Sequence, residues 1–443
     1  MINQEVLKYK DSILKDLETL VSFNSIYMPN EEGTPFGVNN KKCLEKALEI
    51  ARGYGFKAVN LDDYCGYIEM GQGEEVIGIL AHLDVVPTSE TWNTDPFKLT
   101  LIDDKYYGRG TSDDKGAVCC SLAALRMLKE KESTFTKRVR LILGCNEETG
   151  SRGVEHYIEQ EGYVDCGFTP DGEFPLVFSE KGMVRNIFSM KSAKIENIEA
   201  GTASNIVAAH CTVTLKDNSY DQAKLEAFFK ENNISYSIEG NTITVNGVAA
   251  HASTPELGVN AISYAMEGLY QAGLDDNATD TYHKYIALDY NGNNAGVGFK
   301  DEYGNLTLNV GKAYKENGEL CFTIDIRFPV TMKKETIIEA MEKVGNGHMT
   351  NYRGADPLFF PLDHPMIKAL YKAYVDVTGD TVSKPLSIGG GTYAKDMHNI
   401  VAFGCDDGKF NYHIHDDNEF VTLESLMTQT ACYYQAILNL LEI

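Results

Sequence analysis

Long apolar runs, basic charge and paired cysteines are what this sequence lacks. No stretch of its 443 residues stays apolar for the length of a membrane span, which argues against a helical membrane protein. The opening MINQEVLKYKDSILKDLETLV has no basic segment leading into an apolar core, so it does not read as an export signal; its pattern is that of an amphipathic helix. Lys and Arg number 40 against 64 Asp and Glu, a formal net charge of −24. That balance argues against nucleic acid or an anionic membrane as a partner and suits a protein that collects cations. Ten cysteines are scattered with no CxxC pair, so reduced core thiols are expected rather than a disulfide framework. The expected location is the cytoplasm.

The length exceeds what one compact core holds, so two domains are expected. The first part alternates helix and strand: helix over 39–54, strand over 75–86, helix over 114–131, strand over 138–145, a helix near 154–160 and a short strand at 166–169. Such alternation implies a mostly parallel sheet with helices on both faces. From about Gly182 the style changes to strands of an antiparallel sheet. In ELCFTIDIRFP, Phe322, Ile324, Ile326 and Phe328 share one face, while Thr323, Asp325 and Arg327 share the other. A helix is expected over 255–272, with Thr254 as N-cap and Pro255 at its first position, and another over 334–344. After about Ala355 the α/β style returns, ending in a long helix over 422–441. The expected architecture is an α/β catalytic domain, residues 1–182 and 354–443, interrupted by an α+β lid domain, residues 183–353.

Acids and histidines gather at the strand ends. VIGILAHLDVVP is nearly continuous in apolar residues, yet His82 and Asp84 interrupt it two apart, on one side of the strand. GRGTSDDKGA places Asp113 and Asp114 before a helix, LILGCNEETGS places Glu147 and Glu148 after a strand, and FTPDGEF places Asp171 after another. NYHIHDDNEFV offers His413 and His415 before the last helix. Each alone has a plainer reading: a core histidine, an N-cap, a solvated turn. Together they would meet at the carboxyl ends of parallel strands, where ligand sites form, and acids so crowded need a cation. Two histidines with carboxylates suit zinc, manganese or cobalt.

The motifs HLDVVP, GRGTSDDKG, NEETGSRG, TPDGEFP and HDDNE, in this order and spacing, resemble the dinuclear zinc peptidases and amidohydrolases that include aminoacylase and succinyl-diaminopimelate desuccinylase. The long insert, DGEFP and GGGTYAK look most like the PepV-type dipeptidase branch. The resemblance implies two divalent metal ions, zinc in the first place. His82, Asp113 and Asp171 would hold one, and Asp113, Glu148 and His415 the other. It implies Glu147 as general base, Asp84 as acceptor of the free ring N–H of His82, and a cis peptide after Asp113. It also implies His251 as the oxyanion partner, Asn205 as a substrate contact and Arg327 as a clamp for a substrate carboxylate. On residue type alone, His251 would be surface decoration and Arg327 the ion-pair partner of Asp325. Gly390, Gly391 and Thr392 of IGGGTYAK form either a flexible turn or a cradle of backbone N–H groups for a carboxylate.

The expected activity is hydrolysis of dipeptides with a free C-terminal carboxylate by a monomer, with Asp84 or Asp114 as candidate partners for the substrate ammonium group. An N-acyl amino acid hydrolase of the same chemistry is one alternative. A metal-dependent peptide-binding protein without turnover is another, against which the presence of Glu147 argues. His413 is extra to the motif spacing and is expected to be a pocket-lining or structural residue.

Overall fold

Val76–His82 forms a strand whose every residue is buried. It can be so apolar because it is central: Arg138–Gly144 pairs with it in parallel on one side and Cys166–Thr169 on the other. Ile400–Ala402 continues the parallel set beyond Cys166–Thr169. The sheet edges are antiparallel. Lys57–Leu61 and Cys65–Gly71 form a ribbon added to Arg138–Gly144, and Val177–Glu180 meets Ile400–Ala402. This computed structural model describes residues 4–29, 33–131, 135–345 and 348–443.

Contacts divide the chain into two compact units. One comprises the residues up to Ser179 with Phe360–Leu386 and Gly391–Ile443; the other comprises Glu180–Phe359 with Ser387–Gly390. In the first unit, helix Lys115–Lys131 is buried along most of its length, including the apolar run from Ala117 to Leu125. Its packing partner is the C-terminal helix Leu423–Leu441, capped by Thr422, whose hydroxyl accepts the Ser425 N–H at 3.1 Å. A small sheet joins Thr100–Ile102, Lys105–Tyr107 and Phe420–Thr422, so the segment after His415 is stitched to the segment before Asp113.

The second unit is built on an eight-stranded antiparallel sheet, in the order Ser235–Glu239, Thr242–Asn246, His210–Leu215, Ile195–Ala200, Thr307–Glu316, Glu319–Phe328, Gly182–Met190, Met349–Ala355. Its core gathers Phe322, Ile324, Ile326 and Phe328 from one face of Glu319–Phe328, with Phe188, Ile262, Met266 and Tyr282.

Two local expectations are corrected. The opening segment is two helices, Gln4–Leu7 and Lys10–Val21, rather than one. The helix expected from Pro255 is a single 3₁₀ turn, Pro255–Leu257, and Thr254 makes no side-chain capping bond. Gly258 and Val259 turn extended instead, because Val259 exchanges backbone bonds with Val248 at 2.9 and 3.0 Å. The helix begins afresh at Ala261–Gln271, capped by Asn260, whose side chain accepts the Ile262 and Ser263 N–H groups at 3.1 and 3.3 Å. No helix among the described residues is long and apolar enough to cross a membrane.

Candidate metal centre

His82 ends the central strand with no exposed surface. Its Nδ1 lies 3.0 Å from the main-chain oxygen of Asp84, which accepts the Nδ1–H, and its Nε2 lies 2.9 Å from Asp113 Oδ1. A fixed hydrogen on Nδ1 leaves Nε2 as the atom offered to the cluster. The other oxygen of Asp113 lies 2.8 Å from His415 Nε2, which is itself 3.2 Å from Glu148 Oε2. Asp113 therefore stands between two histidines contributed by sequence-distant loops. The Asp113–Asp114 peptide is cis.

Three sets of ligand atoms lie within 4.8 Å of one another: His82, Asp113 and Asp171; Asp113, Glu148 and His415; and His82, Glu147 and Glu148. The strand ends explain the gathering. Val76–His82, Arg138–Gly144 and Cys166–Thr169 run parallel, so His82, the Glu147–Glu148 turn and Asp171 all leave the same edge of the sheet. Imidazole and carboxylate donors without a thiolate fit a borderline or hard divalent ion.

The electrostatics are those of crowded acids. Burial, then the nearby Asp171, pushes the Glu147 carboxyl well above the usual range. Burial and Asp113 raise Asp171 to about 7 and also raise Glu148. Burial opposes ionisation of Asp113 as well, but the bonds from His415 and His82 outweigh it and hold that carboxyl far down. His415 is pushed up to about 11 by its bonds to Asp113 and Glu148. Burial disfavours charge on His82, yet Asp113 and Asp84 together raise it well above an ordinary histidine.

Asp84 departs from its expected part. The histidine bond goes to its main-chain oxygen, while its carboxylate accepts the backbone N–H of Glu147 at 3.0 Å and of Glu148 at 3.1 Å. The nearer Asp84 carboxylate oxygen is 3.5 Å from His82 Nδ1. Asp114 is fully buried: Oδ2 accepts the His82 N–H at 3.1 Å, and Oδ1 has no partner among the described residues. Burial raises its carboxyl well above the usual range. Asp84 is thus engaged and Asp114 buried, and neither has exposed surface.

In the second unit, Arg327 is buried and grips Asp325, with Nε at 2.6 Å and Nη2 at 3.3 Å from its two oxygens; Arg185 holds the same carboxylate at 2.7 Å. The ion pair suggested by residue type alone is therefore present. His251 Nδ1 accepts the Ser253 N–H at 3.2 Å and lies 2.7 Å from the Ser253 hydroxyl, which places the hydrogen of the neutral ring on Nε2. Burial of part of the ring, then Arg327, lowers its pKa. No long helix begins beside it, since the helix expected from Pro255 starts only at Ala261. The Asn205 carbonyl accepts the Ala252 N–H at 2.9 Å, tying its turn to the His251 segment. The division between units falls inside the glycine run: Gly390 belongs to the second, Gly391 and Thr392 to the first. Thr392 caps the 3₁₀ turn Tyr393–Asp396.

His413 lines a cavity of about 350 Å³ together with Asn93, Lys105, Tyr107 and Phe420. Sequence reasoning missed Glu419, which is fully buried and accepts several bonds from the Asp113 loop. Its signal was an acid four residues after His415 in a motif read only for its histidine.

Residues 78–439 match the family described as Peptidase family M20/M25/M40. The chain is 32% identical over 460 residues to "Putative dipeptidase YtjP" of Bacillus subtilis, with 98% of each chain covered. Among solved structures, human carnosine dipeptidase 1 shares the fold with a TM-score of 0.61 at 15% identity, covering 100% of this chain and 98% of that one. An M20 family metallo-carboxypeptidase, Sso-CP2 of Sulfolobus solfataricus, matches at TM-score 0.59 and 16% identity, covering 97% and 99%. A match across most of the sequence, a full-length relative and a shared two-part fold converge: this chain is a metallopeptidase belonging to peptidase family M20/M25/M40.

Proposed function

We propose that the protein is a dipeptidase working with two divalent metal ions, zinc in the first place and manganese or cobalt as substitutes. The observation that carries this reading is the sharing of Asp113 between two ligand sets, with the Glu147 carboxylate beside them. His82, Asp113 and Asp171 would hold one ion, and Asp113, Glu148 and His415 the other. When bound, the ions would supply an acidified water and polarise the scissile carbonyl. Glu147 would accept the proton of the attacking water at its carboxylate and return it to the leaving amine nitrogen, a task suited to a carboxyl that burial makes a stronger base than an ordinary carboxylate. Asp84 holds Glu147 and Glu148 in place through their backbone N–H groups.

For the second unit the reading keeps the roles implied by the resemblance. Arg327 would take a substrate carboxylate by turning one edge of its guanidinium from Asp325. His251, with its hydrogen on Nε2, would donate to an oxyanion, and Asn205 would contact substrate. The Gly390–Gly391–Thr392 backbone would assist at the carboxylate. Ten free thiols support a reducing compartment, the cytoplasm. The long second unit supports action as a monomer, which light scattering checks.

One observation favours a second reading. Asp84 and Asp114, the two acids available for a substrate ammonium group, are both engaged or buried. An N-acyl amino acid hydrolase needs no such acid. The deciding experiment presents dipeptides beside N-acetyl amino acids of the same C-terminal residue, after chelation and return of zinc, manganese or cobalt, with Glu147→Ala as control. Metal-dependent dipeptide cleavage that vanishes in the variant supports the dipeptidase. Cleavage of the acetyl substrates alone moves the enzyme to the second reading, and cleavage of neither sinks both.

A further inference from the structure

The Asp113 loop and the His415 loop are 306 residues apart at their joining contact, yet one buried carboxylate ties them. Glu419 has no exposed surface. Its Oε1 accepts the backbone N–H of Ser112 at 2.8 Å and of Asp113 at 3.1 Å. Its Oε2 accepts the backbone N–H of Gly110 at 3.0 Å and Nη1 of Arg109 at 2.8 Å. Its own main-chain oxygen takes the Gly108 N–H at 3.0 Å, and the next residue, Phe420, takes the Ser112 hydroxyl at 2.8 Å. The residues 108–113 thus wrap around a single side chain that lies four positions beyond His415.

This arrangement exceeds what loop anchoring needs. The backbone ladder between Lys105–Tyr107 and Phe420–Thr422 already joins the two segments. The Glu419 carboxylate adds direct control of the Asp113 main chain, hence of the direction in which the Asp113 oxygens face. A carboxylate is the one side chain that can accept all four donors, because an amide would turn its NH₂ against two of them. Buried in a low-dielectric pocket and bonded at both oxygens, it is rigid.

We propose that Glu419 is a positioning residue: by bonding the Asp113 loop from the His415 loop it sets the mutual placement of Asp113 and His415 as ligands of one metal ion. The inference rests on the two-metal reading of the site and says which residue makes that site tight.

The test is metal binding rather than turnover. Zinc and cobalt are titrated calorimetrically into chelated wild type, E419Q and E419D, the cobalt absorption spectrum is recorded, and thermal melting is followed with and without metal. Loss of such an outer partner costs about 10–100-fold in metal affinity. The expected result is a folded E419Q whose weaker site binds at least about tenfold more loosely, with an altered cobalt spectrum and a smaller rise in melting temperature on adding metal. E419D, which keeps the charge, falls between E419Q and wild type. A merely structural role would lower the metal-free melting temperature and leave the metal-induced rise intact. Wild-type affinity and spectrum in folded E419Q overturn the proposal. Should E419Q not fold, wild-type affinity and metal-induced rise in E419D do so instead. Wild type that binds no metal overturns the two-metal reading itself, and this inference with it.

Discussion

The carboxylate of Asp84 accepts the backbone N–H of Glu147 at 3.0 Å, from the loop that follows the neighbouring parallel strand. A residue two positions past His82 thereby fixes the residue with the strongest claim to be the base. Asp84→Asn keeps shape but turns an NH₂ toward one of its two donors. We expect kcat to fall about 100-fold with KM nearly unchanged, read by steady-state kinetics on a dipeptide. A variant as active as wild type would remove Asp84 from the account.

Glu147→Gln should leave metal content at the wild-type value, since the amide oxygen disturbs neither ligand set that shares Asp113. Turnover should fall by about 10²–10⁴-fold, the range for loss of a general base. Metal analysis of the purified variant beside its kinetics checks both halves, and undiminished turnover would assign the proton transfer elsewhere.

Much of this was visible before the structure, and the reason is local. His82 and Asp84 stand out because the strand around them is wholly apolar, as only a central parallel strand can be. The ligand-bearing turns each follow a strand or precede a helix, so one sheet rule gathers them. What stayed hidden depends on partners far away in the chain. Nothing near Glu419 announces four donors from residues 109–113. The Pro255 helix failed because the pairing of Val259 with Val248 overrode a good local start signal. The edge ribbon Lys57–Leu61 and Cys65–Gly71 was overlooked because short strands carry little periodicity.

The metal-free protein should lose stability as pH rises. His415, raised to about 11 by Asp113 and Glu148, binds its proton more tightly folded than unfolded. Its contribution is full below the unfolded histidine value, about 6.5, and is lost as pH climbs toward about 11. Asp171, raised to about 7, works in the same sense lower down: its ionisation is disfavoured only in the folded chain, so stability falls between about 4 and about 7. Bound metal replaces those protons and should flatten the slope, with protons released on binding. Melting curves across pH, with chelator and with zinc, test the sign; a chelated protein that grows more stable between those limits contradicts it.

Arg327 is held by Asp325 in the structure, so the substrate role proposed for it can be set directly against a structural one. Arg327→Met should raise KM about 10–100-fold for a dipeptide with a free carboxylate, the worth of a charged hydrogen bond. The matching dipeptide amide should be little affected. Equal losses on both substrates would leave Arg327 as a structural partner of Asp325.

Gly144 ends the strand beside the central one, and a Cβ there would lie 2.0 Å from the Tyr393 hydroxyl. Tyr393 is fully buried, with its ring edge-on to His82 at 6.0 Å between centroids. Gly144→Ala should therefore cost about 1–3 kcal/mol by overpacking, seen as a lower urea midpoint; an unchanged midpoint would mean the tyrosine has room to retreat.

The order in which the chain emerges during synthesis gives the split first unit a temporal meaning. Glu180–Phe359 is almost continuous and can complete its sheet while the remainder is still being made. The Asp113 loop, by contrast, is present early but lacks its organiser until Glu419 leaves the ribosome, and His415 arrives at nearly the same moment. A nascent chain that stops short of residue 415 therefore lacks one of the two histidines that face Asp113.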